Sequence, residues 1–210
     1  MKKIAFATAL LLSLCAPAMA NKMAVSPVVM RGPTTQQTQL VHMANKGSTA
    51  TTYQVSVYAW HQDGEEERIE ATREVMAYPQ MLEVAPGATR GIRLVKLAPG
   101  PGNYRVVLRE LPRKMEGGGI QRLMNYDLPL IFEDGKASVA LDATRKGNDL
   151  LLTNTGSRAI QITEIGAAGQ VWKQGMLGWL LPGGSKAFAY AATGTVLVKA
   201  DGKPLTLTVH

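Results

Sequence analysis

Residues 103–111 read NYRVVLREL. Successive side chains of a β-strand point to opposite faces. One face of this stretch therefore carries Tyr104, Val106, Leu108 and Glu110, and the other carries Arg105, Val107, Arg109 and Leu111. The run is short and valine-rich, as strands are, and it turns two arginines the same way. They are matched either to an anion brought by a partner or to an acid of this chain such as Asp127 or Glu110. Spacing alone leaves both readings open.

The same period of two runs outward through the chain. Tyr53, Val55, Val57 and Ala59 interleave with Gln54, Ser56 and Tyr58, and Ile92, Leu94 and Lys96 alternate with Arg93, Val95 and Leu97. Residues 150–152, 160–165 and 196–198 are further short β-rich runs. Turn signals fall between them at Asn45-Lys46-Gly47, Pro86-Gly87, Pro182-Gly183-Gly184 and Asp201-Gly202. No stretch sustains a 3.6-residue period. Many short strands with regular turns predict an all-β chain built as a sandwich or barrel.

An internal repeat selects between these. Asn45-Lys46-Gly47-Ser48 precedes the strand expected at 51–60, and Asn154-Thr155-Gly156-Ser157 precedes the one at 159–165. Downstream, VAPGATR at 84–90 matches LLPGGSK at 180–186. The order of motifs recurs with a shortened middle, which predicts two tandem immunoglobulin-like β-sandwich domains. The boundary is placed at the polar turn Glu133-Asp134-Gly135-Lys136, giving an N-terminal domain over 21–134 and a smaller C-terminal one over 135–210. The first domain has about seven strand candidates, the number an immunoglobulin-like sandwich needs. Its longest loop, PRKMEGGG at 112–119, is rich in glycine, which restricts the backbone least.

Residues 1–20 are expected to be a cleaved signal peptide. MKK is a basic start, IAFATALLLSLC is an apolar stretch, and Ala18-Met19-Ala20 is a cleavage site of the A-x-A kind. Cys15 is the single cysteine, so the mature chain has no disulfide and must rely on core packing and backbone pairing. Removing the leader leaves 21 basic against 16 acidic side chains, a net charge of +5. The basic residues are scattered and the chain is exported, which argues against nucleic acid as a partner. No later apolar run is long enough to insert in a membrane, and the expected location is the periplasm.

Enzyme chemistry is not expected. His42, His61 and His210 are far apart and show no metal-ligand spacing. The mature chain has no thiol nucleophile, and no serine sits in a G-x-S-x-G setting. Gly117, Gly118 and Gly119 are not followed by the lysine and helix of a phosphate-binding loop. The run Glu65-Glu66-Glu67, after Asp63-Gly64, reads as a solvated loop tip. No cofactor and no metal is expected.

Residues 120–132, IQRLMNYDLPLIF, read as one long strand after the flexible loop. Ile120, Arg122, Met124, Tyr126, Leu128, Leu130 and Phe132 share a face. Pro129 has no backbone donor and places the strand at a sheet edge or a bulge. An edge of large alternating apolar residues is an aggregation hazard. It is either a hairpin arm covering the core or an edge that a partner's chain completes by strand addition.

Taken together, N-K-G after the second strand, EVAPGATRGIRL, YRVVLRELP and a long strand after a flexible loop make the chain resemble the periplasmic pilus-assembly chaperones of the PapD-like superfamily. WHQDG at 60–64, Tyr104-Arg105 and YDLPL at 126–130 are most similar to the archaic branch of that family. The resemblance spans the mature chain and is strongest over 24–132. It implies a chaperone that lends its edge strand to incomplete pilus or fimbrial subunits and passes them to an outer-membrane usher. The donor residues it implies are Ile120, Met124 and Tyr126, with Leu128 near the cleft between the domains. Arg122 departs from the apolar pattern, although its stem can pack with the charge at the rim.

The resemblance further implies an anchor for the subunit's C-terminal carboxylate in that cleft. Arg31 matches the arginine of the better-known branch, whereas the lysine position falls at Pro129. Arg105 is the substitute that the archaic branch implies. A guanidinium offers a carboxylate two parallel hydrogen bonds and stays charged. The rival readings are a secreted β-sandwich adhesin or structural pilus component, and a carbohydrate- or metal-binding module. The sequence does not name the pilus, the subunit or the usher, nor say whether the free protein caps its edge by pairing with itself.

Overall fold

The computed structural model describes residues 23–114, 120–167, 169–191 and 193–210. The expected leader and Gly117, Gly118 and Gly119 lie outside the described residues. Among the described residues every regular element is a strand. The first ten are β1 (Met23–Ser26), β2 (Met30–Pro33), β3 (Thr38–Asn45), β4 (Thr51–Asp63), β5 (Glu66–Ala71), β6 (Val75–Tyr78), β7 (Met81–Val84), β8 (Thr89–Lys96), β9 (Gly102–Glu110) and β10 (Asn125–Glu133). They form one sheet in the order β1-β3-β8-β6 and a second in the order β2-β10-β9-β4-β5, with β7 also paired to β4.

The period of two decides what lies between these sheets. Val41 and Met43, Tyr53 and Val55, Ile92 and Leu94, Tyr104, Val106 and Leu108, and Leu128, Leu130 and Phe132 all point into one buried core. Each such side chain contributes about 1.5–3 kcal/mol on leaving water. Lys96 follows the same alternation and is buried, so its charge has to be met by protein. Its Nζ donates to the carbonyls of Thr34 and Gly100 and lies 4.8 Å from the centre of the Phe132 ring. Burial lowers its pKa, and nearby Glu74 opposes that shift.

The second sandwich uses β11 (Leu141–Lys146), β12 (Asp149–Asn154), β13 (Ile160–Ala167), β14 (Gln170–Leu180), β15 (Ser185–Phe188), β16 (Thr195–Ala200) and β17 (Lys203–Thr208). Its sheets run β11-β12-β15 and β14-β13-β16-β17. Leu150, Leu152, Ile160, Ile162, Leu180, Val196 and Val198 fill its core. The chain is thus an all-β protein of two tandem β-sandwiches.

The repeated N-x-G-S and P-G motifs meet in space, once in each sandwich. Asn45 is 2% exposed and Asn154 0%. The Asn45 side-chain amide donates to the carbonyls of Thr49 (2.8 Å) and Val84 (2.9 Å), and its Oδ1 accepts from Gly47 N (2.9 Å). The Asn154 amide donates to Arg158 (2.7 Å) and Leu180 (2.9 Å) and accepts from Gly156 N (3.0 Å). The backbone of each asparagine also pairs with its P-G turn: Gly87 N donates to Asn45 O, and Gly183 N to Asn154 O. One buried amide therefore ties two distant turns, which is why the two motifs recur together.

The acidic stretch expected as a loop tip is in fact a hairpin. β4 continues to Asp63, and β5 pairs back along it from Asp63↔Glu66 to Tyr58↔Ala71. All six β5 residues are exposed, so no apolar face marks the strand in the sequence.

Candidate functional site

The outer face of the sheet containing β9 and β10 meets the second sandwich. Trp60, Ile131, Ala159, Trp179 and Leu181 form a small buried cluster there, with Val29 against it. Trp60 and Trp179 meet edge to face, with ring centres 6.1 Å apart. Around this apolar patch the domains are stitched by polar contacts. Gln62 Nε2 donates to Ser185 O (3.0 Å), Gln62 Oε1 accepts from Leu181 N (2.8 Å), and Ser185 N donates to Gly64 O (2.6 Å). Glu65 and Lys146 form an ion pair across the same junction.

Arg31, on β2, is engaged from several directions. It pairs with Glu133, donates to Ala159 O (2.8 Å) and Asp201 Oδ1 (3.0 Å), and lies 5.1 Å from the centre of the Trp179 ring. Arg158 approaches the same two acids, at 3.3 Å from Glu133 and 3.4 Å from Asp201. Two cations and two anions from both sandwiches thus close one end of the cleft.

Arg105 lies along the same face. Its register neighbours are Pro129 on β10 and Tyr58 on β4. The guanidinium stacks on Trp60 with Cζ 3.6 Å from the ring centre, and the side chain is only 14% exposed. Stacking fixes the plane of the fork and leaves its edge for an anion. That edge now faces Glu67 Oε1 at 2.9 Å and Asp127 Oδ1 at 3.6 Å. Of the acids weighed from the sequence, Asp127 is within ion-pair distance of Arg105. Glu110 instead accepts from Met124 N (2.9 Å). Arg109 is exposed at the far end of β9, opposite Asn125.

β10 is shorter than the 120–132 strand expected. It begins at Asn125 and pairs with β9 from Asn125↔Arg109 to Phe132↔Gly102. On its other side β2 pairs only from Leu130↔Met30 to Glu133↔Pro33. β2 therefore flanks β10 only from Leu130 onward, while β9 flanks it from Asn125. Residues 120–124 lie outside any strand. Ile120 is wholly exposed, Leu123 is exposed, and Met124 is half-buried. Tyr126 packs against the first core, its hydroxyl donating to Met23 O (3.1 Å) and its ring centre 6.1 Å from that of Tyr53. Burial, then Glu110 and Tyr126, push the Tyr53 phenol well above its ordinary range.

The residues singled out from the sequence therefore fall in three places. Ile120 and Met124 lie in the segment 120–124, and Tyr126 lies at the start of β10. Leu128 lies inside the first core, and Ile131 is a β10 residue that enters the cleft. Arg105 and Arg31 reach the cleft from either side of the Trp60–Trp179 pair. Trp179 and Asp201 were not legible as site residues, because only the docking of the second sandwich brings them to the first, and Glu133 was not, because only the pairing of β10 with β2 sets it beside Arg31. Trp60 offered one signal, since it shares a strand face with Tyr58, the neighbour of Arg105. Among the described residues no group of histidine, cysteine and acidic side chains could hold a metal, and no helix is long and apolar enough to cross a membrane.

No family model matches the chain, and no curated protein matches it in sequence. Solved structures do. One is a chain of the CsuC–CsuE chaperone–tip adhesion subunit pre-assembly complex from the archaic chaperone-usher Csu pili of Acinetobacter baumannii. It superposes with a TM-score of 0.72 at 18% identity, over 90% of this chain and 100% of that one. A chain of the Salmonella enterica SafA pilin–SafB chaperone complex gives 0.65 at 14% identity, over 89% and 95%. The Pseudomonas aeruginosa CupB2 chaperone gives 0.63 at 14% identity, over 87% and 97%. The chain has the two-domain β-sandwich fold of the chaperones in these pilus systems.

Proposed function

We propose that this protein is a periplasmic, non-enzymatic chaperone that binds pilus or fimbrial subunits by lending them the edge of β10, and that it delivers them to an outer-membrane usher. The observation that carries this reading is the half-paired strand. Over 125–129 β10 is paired with β9, and β2 joins its other edge only from Leu130 onward, with the non-strand segment 120–124 leading into it. A subunit lacking a strand gains a full ladder of backbone hydrogen bonds by pairing there, and both exposed edges disappear.

In this reading Ile120, Met124 and Tyr126 enter the subunit's groove, and 120–124 extends β10 when the complex forms. Leu128 marks the point where the lent face passes into the chaperone's own core. Arg105 anchors the subunit's terminal carboxylate at the mouth of the cleft. Arg31, which already faces two acids, contributes positive potential and holds the domains at a fixed angle. Residues 1–20 serve as the export signal, 21–134 as the domain that lends the strand, and 135–210 as the domain that closes the cleft. An anchored terminus sets the register, and a slip of one residue would turn every apolar side chain away from its pocket.

The test is co-expression in the periplasm with candidate pilus subunits. The wild-type chain should co-purify one-to-one with a subunit. Met124→Glu, which puts a charge into an apolar groove, should reduce recovery at least tenfold while the chaperone remains folded. Undiminished recovery would refute strand lending through this segment.

A further inference from the structure

The hairpin of β4 and β5 contributes more than an exposed edge. Its tip is fixed to the second sandwich by Ser185 N donating to Gly64 O at 2.6 Å, by a bridge between Gly64 and Gly184, and by the Glu65–Lys146 pair. Two residues beyond Glu65, Glu67 reaches back over the sheet to Arg105. The carboxylate on the guanidinium is therefore delivered by a pinned element.

The two partners are unequal. Arg105 is held flat on Trp60 and is 14% exposed, whereas Glu67 is 48% exposed. Glu67 can withdraw into water, and Arg105 has nowhere else to go. Asp127, on β10 itself, stands at 3.6 Å and leaves the closer position to Glu67. A free carboxylate or an acidic side chain that displaced Glu67 would exchange one ion pair for another and gain little. A chain terminus that also pairs along 125–129 would gain the ladder as well.

We propose that Glu67 is the selectivity residue of this anchor: it occupies Arg105 in the free protein and yields only to a carboxylate that arrives at the end of a pairing strand. The inference rests on the reading of Arg105 as the carboxylate anchor. Glu67 then links the two halves of recognition, because capture of the terminus is productive only together with strand addition.

The experiment uses the full mature chain and two probes, an N-acetylated hexapeptide of alternating valine and threonine with a free C-terminal carboxylate, and its C-terminal amide. Binding is followed by calorimetry and by the Arg105 Nε–H resonance in side-chain NMR. Glu67→Gln should bind the acid about two- to fivefold more tightly than wild type, the range expected on removing a partly exposed competing ion pair, with the amide unchanged. Glu67→Asp, which retracts the carboxylate, should act in the same direction. Arg105→Ala should bind acid and amide alike. If Arg105→Ala abolishes a preference for the acid while both Glu67 variants bind it as wild type does, the selectivity role is overturned and the anchor stands. If neither wild type nor Glu67→Gln distinguishes acid from amide, or neither binds, the anchor reading fails and this inference with it.

Discussion

Replacing Asn45 by alanine removes one side chain and unties two turns. The amide makes three hydrogen bonds, two as donor to the carbonyls of Thr49 and Val84 and one as acceptor from Gly47 N. A net contribution of about 1 kcal/mol each gives a loss of about 3 kcal/mol. Burial argues against water making good the loss, because the residue is 2% exposed. With a urea slope of about 2 kcal/mol per molar, the unfolding midpoint of the first sandwich should fall by about 1.5 M. The assay is equilibrium urea unfolding followed by far-ultraviolet circular dichroism and by fluorescence of Trp60, Trp172 and Trp179. Asn45→Asp separates hydrogen bonding from shape. It keeps an acceptor for Gly47 N but turns a carboxylate toward two carbonyl oxygens, so it should destabilise at least as much as alanine at neutral pH. Asn154→Ala should reproduce the loss in the second sandwich, where the same three bonds recur. A loss below about 1 kcal/mol for Asn45→Ala, or an Asn45→Asp protein as stable as wild type, would refute the claim that this amide holds the turns together.

Other perturbations address the site and its frame. Arg105→Ala should leave the fold intact and weaken capture of co-expressed subunits at least tenfold, read by co-purification; retention at the wild-type level would remove Arg105 as the anchor. Arg31→Ala leaves Glu133 and Asp201 sharing only Arg158 and should cost about 1–2 kcal/mol after allowance for partial exposure. It should also loosen the angle between the sandwiches, measurable as a larger radius of gyration in solution scattering. Tyr53 and Tyr104 both have phenols raised by burial, the second also by its hydrogen bond to Glu74. Below about pH 10 both are protonated in the folded and unfolded chain alike. Above it only the unfolded chain releases those protons, so stability falls as the pH rises. Replacing either tyrosine by phenylalanine should flatten that alkaline decline in urea midpoints measured from pH 8 to 11.

Much of the fold was legible because strand alternation is a local signal. The residues that β4, β8 and β9 give to the first core are the sets that period two picks out, since a strand with one face on the core repeats its burial every second residue. The N-x-G-S and P-G repeats announced two similar sandwiches before either was visible. The same logic failed at β5, whose residues are exposed on both faces, and at 120–124. There the chain has an apolar pattern but, among the described residues, no strand paired with it, and a strand needs a partner as well as a pattern.

The cleft shows where sequence information ends. NYRVVLREL established that Arg105 and Arg109 lie on one face of a strand, but it could not assign either a counter-ion. Arg105 stacks on Trp60, faces Glu67 and Asp127, and lies near the second sandwich because β4, β5, β9 and β10 are adjacent in the sheet. Arg109, four residues along, lies beyond that junction and remains exposed. Alternation and turn chemistry act within a few residues of chain, so the sequence by itself determined most of the strands and the two sandwiches. The contacts that set the charge environment of Arg31 and Arg105 join residues 22 to 170 positions apart. Only tertiary packing brings those residues together, and it alone decided which arginine meets which acid.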